Sequence, residues 1–336
     1  MLFLIQEFSR SFLVNVEMCP HCDSPDAAIE SEIQQVMRCP ECYTLFYLQG
    51  DTETNQYTFL HYDLLEEISQ GSNAIVYKAW NRKSEKTRAL KLFLSPEFSD
   101  GESDFVKEFE FAKSLIHPNI IRVYEGGVGG NVQFIDQELF EGIDLNVYIE
   151  TKGIMSFHQA FDIGIETCKA LDYVWSSQLA IHRDIKPHNI LLNKYGEIKL
   201  CDFGMVNEHG EWFDDMKIEG TPFYLSPESI TGDYQDNRSD LYALGVTMFH
   251  LIAGEPPFDD PSLKKTIYKR IDEEPPDIRE FDKHVPEPVA KVLLTMMARD
   301  PDERYVTAYE CQEDLQRVID GSNPNLIDKA RPKVNH

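Results

Sequence analysis

The hydrophobic rhythm of this chain changes once, at Gly142, and that change limits the fold more than any other feature of the sequence. Ahead of it, residues 63 to 68, 75 to 80 and 88 to 94 are rich in Val, Ile, Leu and aromatics and read as strands. Val123 to Glu138 reads as a hairpin turned at Gly126–Gly127–Val128–Gly129–Gly130. Phe105, Phe109, Ala112 and Ile116 recur at helical spacing, so one helix interrupts a small sheet. Beyond Gly142 the helical period takes over. Ser156 is placed to cap a long helix with the stripe Phe157, Phe161, Ile165, Cys168, Leu171 and Trp175. Asp240 to Ala253 and Val289 to Ala298 read as further helices, and a polar tail runs from Gly321 to His336. The chain is therefore α+β, with a β-rich part followed by a mainly helical one.

Seven cysteines fall into two groups. Cys168, Cys201 and Cys311 stand alone, whereas Cys19-Pro20-His21-Cys22 and Cys39-Pro40-Glu41-Cys42 form two Cys-x-x-Cys units 16 residues apart. That spacing fits a closed four-thiolate Zn2+ site in which Cys19, Cys22, Cys39 and Cys42 are the ligands, with iron as the rival metal. The segment resembles a zinc ribbon, where the metal replaces a core too small to hold itself together. An odd cysteine count without an export signal argues against a disulfide framework, and the expected location is cytoplasmic. Met18 is an alternative start to Met1. Against 58 Asp and Glu the chain sets only 32 Lys and Arg, a formal charge of -26. Such a surface repels phosphate backbones, so nucleic acid is excluded as a partner and cationic peptides are favoured. No uncharged apolar run reaches the roughly 20 residues that span a bilayer.

From Ile181 the chain reads His182-Arg183-Asp184-Ile185-Lys186-Pro187-His188-Asn189. Asp202-Phe203-Gly204, Gly220-Thr221-Pro222 and Ser226-Pro227-Glu228 follow. Phosphoryl transfer requires the nucleotide's charge to be neutralised and an acceptor hydroxyl to be held in line, with little covalent work by the enzyme. Carboxylates and an amide beside a hard cation meet that need. From Tyr62 to Asp320 the chain resembles the protein kinases, most closely the eukaryotic-like Ser/Thr kinases of bacteria. The resemblance implies a bilobal kinase fold behind the zinc ribbon, and ATP and Mg2+ as cofactors.

It further implies that Asp184 orients the acceptor hydroxyl and takes its proton, that Asn189 and Asp202 bind Mg2+, and that Lys186 meets the γ-phosphate. Lys91, in Ala89-Leu90-Lys91-Leu92, takes the α- and β-phosphates, paired with Glu108 on the interrupting helix; Glu110 faces away from the stripe. Gly71 and Val76 lie over the nucleotide, and Glu138 to Phe140 form the adenine hinge, with Gln137 limiting the pocket's depth. Thr221 helps position substrate. Asp240 and the pair Glu228 and Arg304 support the fold.

Two departures from the family pattern stand out. Of three glycines expected between Ser69 and Ala74 only Gly71 is present, which predicts weakened ATP affinity with catalysis retained. No Ser, Thr or Tyr lies between Gly204 and Gly220, so no loop phosphorylation is expected; Glu211, Asp214, Asp215 or Glu219 would supply Arg183 with negative charge instead. The expected organisation is an extension over 1–16, a zinc-ribbon-like module over 17–50, a kinase domain over 60–320 with lobes of about 60–140 and 141–320, and the tail over 321–336. The expected function is a Ser/Thr protein kinase acting on protein hydroxyls with basic residues nearby. The competing reading is a pseudokinase scaffold that docks partners through the ribbon and the kinase-like cleft.

Overall fold

The computed structural model describes residues 29–30, 36–38, 45–47, 50–51, 56–70, 74–93, 102–129, 132–203, 207–208 and 223–326. They fall into two compact units, one of Met1–Ser114 with Arg122–Phe140, the other of Leu115–Ile121 with Glu141–His336. The zinc-site cysteines, Gly71, Thr221 and residues 209 to 222 of the acidic loop lie outside the described residues.

In the first unit, β1 (Ile29–Glu30), β2 (Val36–Arg38) and β3 (Leu45–Tyr47) form a small antiparallel sheet within the expected ribbon. A seven-stranded sheet follows, built from β4 (Gly50–Asp51), β5 (Gln56–Phe59), β6 (Tyr62–Gln70), β7 (Ala74–Asn81), β8 (Lys86–Phe93), β9 (Val123–Gly129) and β10 (Val132–Gln137). Its spatial order is β4-β5-β6-β7-β8-β10-β9. Alternation along the strands sends Ile75, Leu90, Leu92, Val132 and Phe134 to one face, where Phe59 and Tyr62 complete a core. The turn between β5 and β6 reaches across to β9 at the far end of that order: His61 Nε2 lies 3.4 Å from Glu125 Oε2, so the sheet is curled. Helix α1 (Glu102–Ser114) packs on β9 and buries Phe105, Phe109 and Ala112.

Two expectations need correction. The hairpin does not turn at Gly126, Gly127 or Gly129, which lie within β9, paired with Ile135, Phe134 and Val132; Gly130 lies outside the described residues. Ile116 leaves the helical stripe, because α1 stops at Ser114 and the side chain is exposed.

The second unit holds β11 (Gly142–Asp144), α2 (Leu145–Lys152), α3 (Phe157–Gln178), β12 (Ala180–Ile181), β13 (Ile190–Asn193), β14 (Ile198–Leu200) and β15 (Asn207–Glu208). Beyond these come α4 (Pro227–Thr231), α5 (Asn237–Ala253), α6 (Leu263–Asp272), α7 (Glu287–Met296) and α8 (Ala308–Ile319). Ser156 caps α3 as expected: its hydroxyl accepts from Gln159 N while the Gln159 side chain accepts from Ser156 N. α5 is apolar on all sides because it is the buried centre of this unit, with Leu241, Leu244, Val246, Met248, Phe249 and Leu251 all inside. It begins at Asn237 behind the cap Asp236, so Asp240 lies in its first turn rather than opening it. None of the described helices is long and apolar enough to cross a membrane.

Candidate active site

The strand β12 delivers the chain into the loop that carries Asp184. Asp240 anchors that loop from below: its Oδ2 accepts from His182 N at 2.7 Å and its Oδ1 from Arg183 N at 2.8 Å. Burial pushes the Asp240 carboxyl above its ordinary value, while His182 and the two backbone N–H groups act against that rise. His182 is wholly buried. Its Nδ1 accepts from Asp184 N at 3.3 Å, which assigns the proton to Nε2 and a donated bond to Cys201 O at 3.1 Å. One imidazole thus joins the backbone beside Asp184 to the residue before Asp202. Its ring also rests against Phe203, with centroids 4.6 Å apart.

Arg183 and Asp202 both adopt φ of +66°, a left-handed conformation that costs a residue with a Cβ on the order of 1 kcal/mol or more. Such strain persists only where surroundings over-determine the backbone, and here the Asp240 and His182 bonds do so.

Asp184 Oδ2 receives two donors, Asn189 Nδ2 at 2.8 Å and Lys186 Nζ at 2.8 Å. Asn189 Nδ2 also donates to Asp184 O at 2.7 Å, so both amide protons are directed at Asp184 and the carbonyl oxygen is the atom left to coordinate a cation. The Asn189 backbone oxygen accepts from Cys201 N at 2.9 Å and from the Cys201 thiol at 3.4 Å. The pairing of β13 with β14 therefore places Asn189 beside the step into Asp202, whose side chain is exposed. An amide oxygen and a carboxylate held this way fit a hard oxygen-seeking cation such as Mg2+. β15 returns the following segment alongside β12, pairing Ile181 with Asn207. The strand β14 is itself anchored by residues 119 to 121, with Leu200 N donating to Asn119 O at 2.8 Å and Ile121 N to Leu200 O at 2.9 Å.

Farther along, Arg304 grips Glu228 through two bonds of 2.7 and 2.8 Å, and Ser239 donates to the same carboxylate at 2.6 Å. Burial alone would raise the Glu228 carboxyl, but the Arg304 guanidinium more than offsets it and the group lies below its ordinary value of 4.5.

In the first unit, Lys91 stands in the middle of β8, directly opposite Val76 on β7 and Ile135 on β10. Cross-strand partners share a face, so Lys91 and Val76 lie side by side on the face away from the Ile75, Leu92 and Phe134 core. The Lys91 ammonium also sits 5.2 Å from the centroid of Phe93. Glu108 falls in α1 next to the buried Phe109; its side chain lies outside the described ones. At the end of β10, Glu138 N donates to Arg122 O at 2.7 Å, while Glu138 Oε2 accepts from Arg122 N at 3.2 Å. The Glu138 N–H is thereby committed internally. Arg122 also donates from Nη1 to Lys113 O at 2.7 Å, capping the last turn of α1. Sequence reasoning missed Arg122, which no motif marks. It missed Asp136 as well, a carboxyl 1% exposed on a strand, held by Tyr62 and Asn81 at 3.0 and 2.8 Å.

The family model described as protein kinase domain matches residues 62–315. Among curated proteins, the serine/threonine-protein kinase PrkC of Bacillus subtilis is 33% identical over 268 residues, covering 79% of this chain and 41% of that protein. The serine/threonine-protein kinase PknB of Mycolicibacterium smegmatis is 32% identical over 292 residues, 84% of this chain and 46% of its own length. A protein of Clostridium perfringens named a probable serine/threonine-protein kinase is 32% identical over 274 residues, 80% of this chain and 40% of that one. The chain thus spans less than half the length of these relatives.

Proposed function

Because the chain belongs to the family of protein kinase domains, we propose that it is an ATP- and Mg2+-dependent protein serine/threonine kinase. The observation that carries this reading is the polar constellation on Asp184: one carboxylate oxygen held by Lys186 and Asn189, on a loop pinned by His182 and Asp240. With Oδ2 so held, Asp184 offers Oδ1 to an acceptor hydroxyl and takes its proton. Bound Mg–ATP supplies the phosphoryl group and neutralises its charge. Asn189 and Asp202 hold the cation through oxygen, and Lys186 adds positive charge beside the site of transfer. Lys91, paired with Glu108, holds the α- and β-phosphates; Gly71 and Val76 cover them. The Glu138 carbonyl and the Phe140 backbone take adenine, and Thr221 positions the acceptor.

Lys186 two residues beyond Asp184 supports Ser or Thr as acceptor, as do the names of the three relatives. The charge of -26 supports basic residues around it. Activity requires no phosphate on the loop after Gly204, since that loop carries acids where a phosphoacceptor would stand. Cys19, Cys22, Cys39 and Cys42 bind one structural Zn2+ in a module over 17–50, ahead of a kinase domain over 60–320.

Purified protein given γ-labelled Mg-ATP and a basic Ser/Thr peptide should transfer label to hydroxyls, and Asp184→Ala and Lys91→Ala should not. Nucleotide binding without transfer in the wild type would favour the scaffold reading instead, to which the single glycine between Ser69 and Ala74 lends some weight. Metal analysis should find one zinc per chain, lost in Cys39→Ser; iron would contradict the closed zinc site.

A further inference from the structure

The family match begins at Tyr62, yet the sheet it enters is built partly from what comes before. β5 pairs with β6 through Tyr57↔Leu64, Thr58↔Asp63 and Phe59↔Tyr62. Phe59 is 1% exposed and meets Phe134 edge to face, with centroids 5.5 Å apart. It reaches farther still, to β9 at the other edge. A Cβ on Gly129 would lie 2.8 Å from Phe59 Cζ and 2.9 Å from Leu60 Cδ1, closer than real side chains approach. Leu60 is partly exposed and can yield; Phe59 is enclosed and cannot. Three residues earlier on the same strand, a Cβ on Gly126 would meet the Phe109 ring of α1 at 2.5 Å. Gly126 is paired with Ile135 and Gly129 with Val132, residues on opposite faces of β10. One thin strand is therefore pressed from one side by the helix that carries Glu108, and from the other by a phenylalanine outside the family's own span. His61 and Tyr62 add polar links to the same strand through Glu125, at 3.4 and 3.5 Å.

We propose that Phe59 is a positioning residue for phosphoryl transfer, acting through β9 on α1, so that the segment ahead of the kinase match is a working part of the nucleotide-handling unit. The proposal rests on the kinase reading above for its catalytic consequence and on packing alone for its mechanical one. Close-packed interiors pass displacement on rather than absorb it, so a change of volume at Phe59 moves β9, and β9 moves the helix seated on its other face. No covalent or redox step is involved. Glycine at 126 and 129 is what lets both aromatic rings approach the strand backbone.

The test uses the full chain and four variants: Phe59→Ala, Phe59→Leu, Gly129→Ala, and the double variant Phe59→Leu/Gly129→Ala. Phe59→Ala and Gly129→Ala should each raise KM for ATP about threefold to tenfold with kcat less affected. Both should speed amide exchange in α1 as well as in β9. Phe59→Leu alone should stay near the wild type, and in the double variant the shorter side chain should relieve the clash and bring KM and α1 exchange back towards it. Faster exchange confined to β5 and β6 with unchanged KM would overturn the proposal, as would simple additivity of the two substitutions in the double variant. If Phe59→Ala does not fold, the Gly129→Ala pair decides the matter. If the wild type transfers no phosphate, the kinase reading falls, while α1 exchange and its suppression still decide whether Phe59 acts on the helix.

Discussion

In the second unit the stretch from Ile181 to Asn189 is held at nearly every turn by groups of the chain itself: Asp240 on two backbone N–H groups, His182 between Asp184 and Cys201, Asn189 and Lys186 on one carboxylate oxygen. The strands around Lys91 in the first unit are arranged differently. Between Ser69 and Ala74 they have one glycine, and the glycines of this unit are gathered in β9, where Phe59 and Phe109 close on the strand. The contrast teaches where precision is placed. The loop that carries Asp184 is fixed by directional hydrogen bonds, whereas the strands that carry Lys91 and Val76 are set by packing from outside, which can be tuned by volume.

That contrast is broken most severely at Asp184. Asp184→Ala should lower turnover by about 10²–10⁴-fold with little loss of thermal stability, because the residue is partly exposed and its neighbours keep their other partners. A melting temperature that fell in step with activity would mean that the loop depends on Asp184 for its shape. Next in size is the buried pair behind the loop. Glu228→Gln leaves Arg304 charged and enclosed, and should cost about 3–5 kcal/mol in chemical denaturation. The pH dependence follows from the sign of the shift. The folded-state value of Glu228 lies below its ordinary 4.5, so its contribution is complete above about pH 4.5 and is lost as pH falls through the lower folded value. The stability gap between wild type and Glu228→Gln should therefore hold at neutral pH and shrink in acid; a gap that widened in acid would reverse the assignment. Smallest is the change on the phosphate strands. Ser69→Gly with Ala74→Gly should lower KM for ATP about twofold to fivefold, since each glycine relaxes a Cβ restriction worth on the order of 1 kcal/mol or less. An unchanged KM would show that packing at β9 alone sets the grip.

Much of this was legible before any coordinates. The string His182 to Asn189 and Asp202-Phe203 carry their chemistry in residue type and order, and the structure sets Asp184, Lys186 and Asn189 in mutual contact. Ser156 signals its helix because a capping box is a local device, complete within four residues. The failures are all non-local. Glycines in β9 resemble a turn when read singly, since nothing in sequence shows that Phe59 and Phe109 approach them from either face. Arg122 looks like any surface cation, yet it caps α1 and pairs with Glu138 across sixteen residues. Phe59 lies in a polar stretch with no motif, and its role emerges only once the sheet curls far enough to bring β5 against β9. Ile116 continues a helical period past the point where the backbone leaves it to pair residues 119 to 121 with β14.

The central claim is that this chain moves a phosphoryl group through Asp184 and not merely holds a nucleotide. Single-turnover transfer and Mg-ATP affinity measured side by side on the wild type and Asp184→Ala test it most directly. The account predicts that both proteins bind Mg-ATP alike and that only the wild type passes the γ-phosphate to a Ser or Thr hydroxyl. Binding without transfer by the wild type, or equal transfer by both, would contradict it.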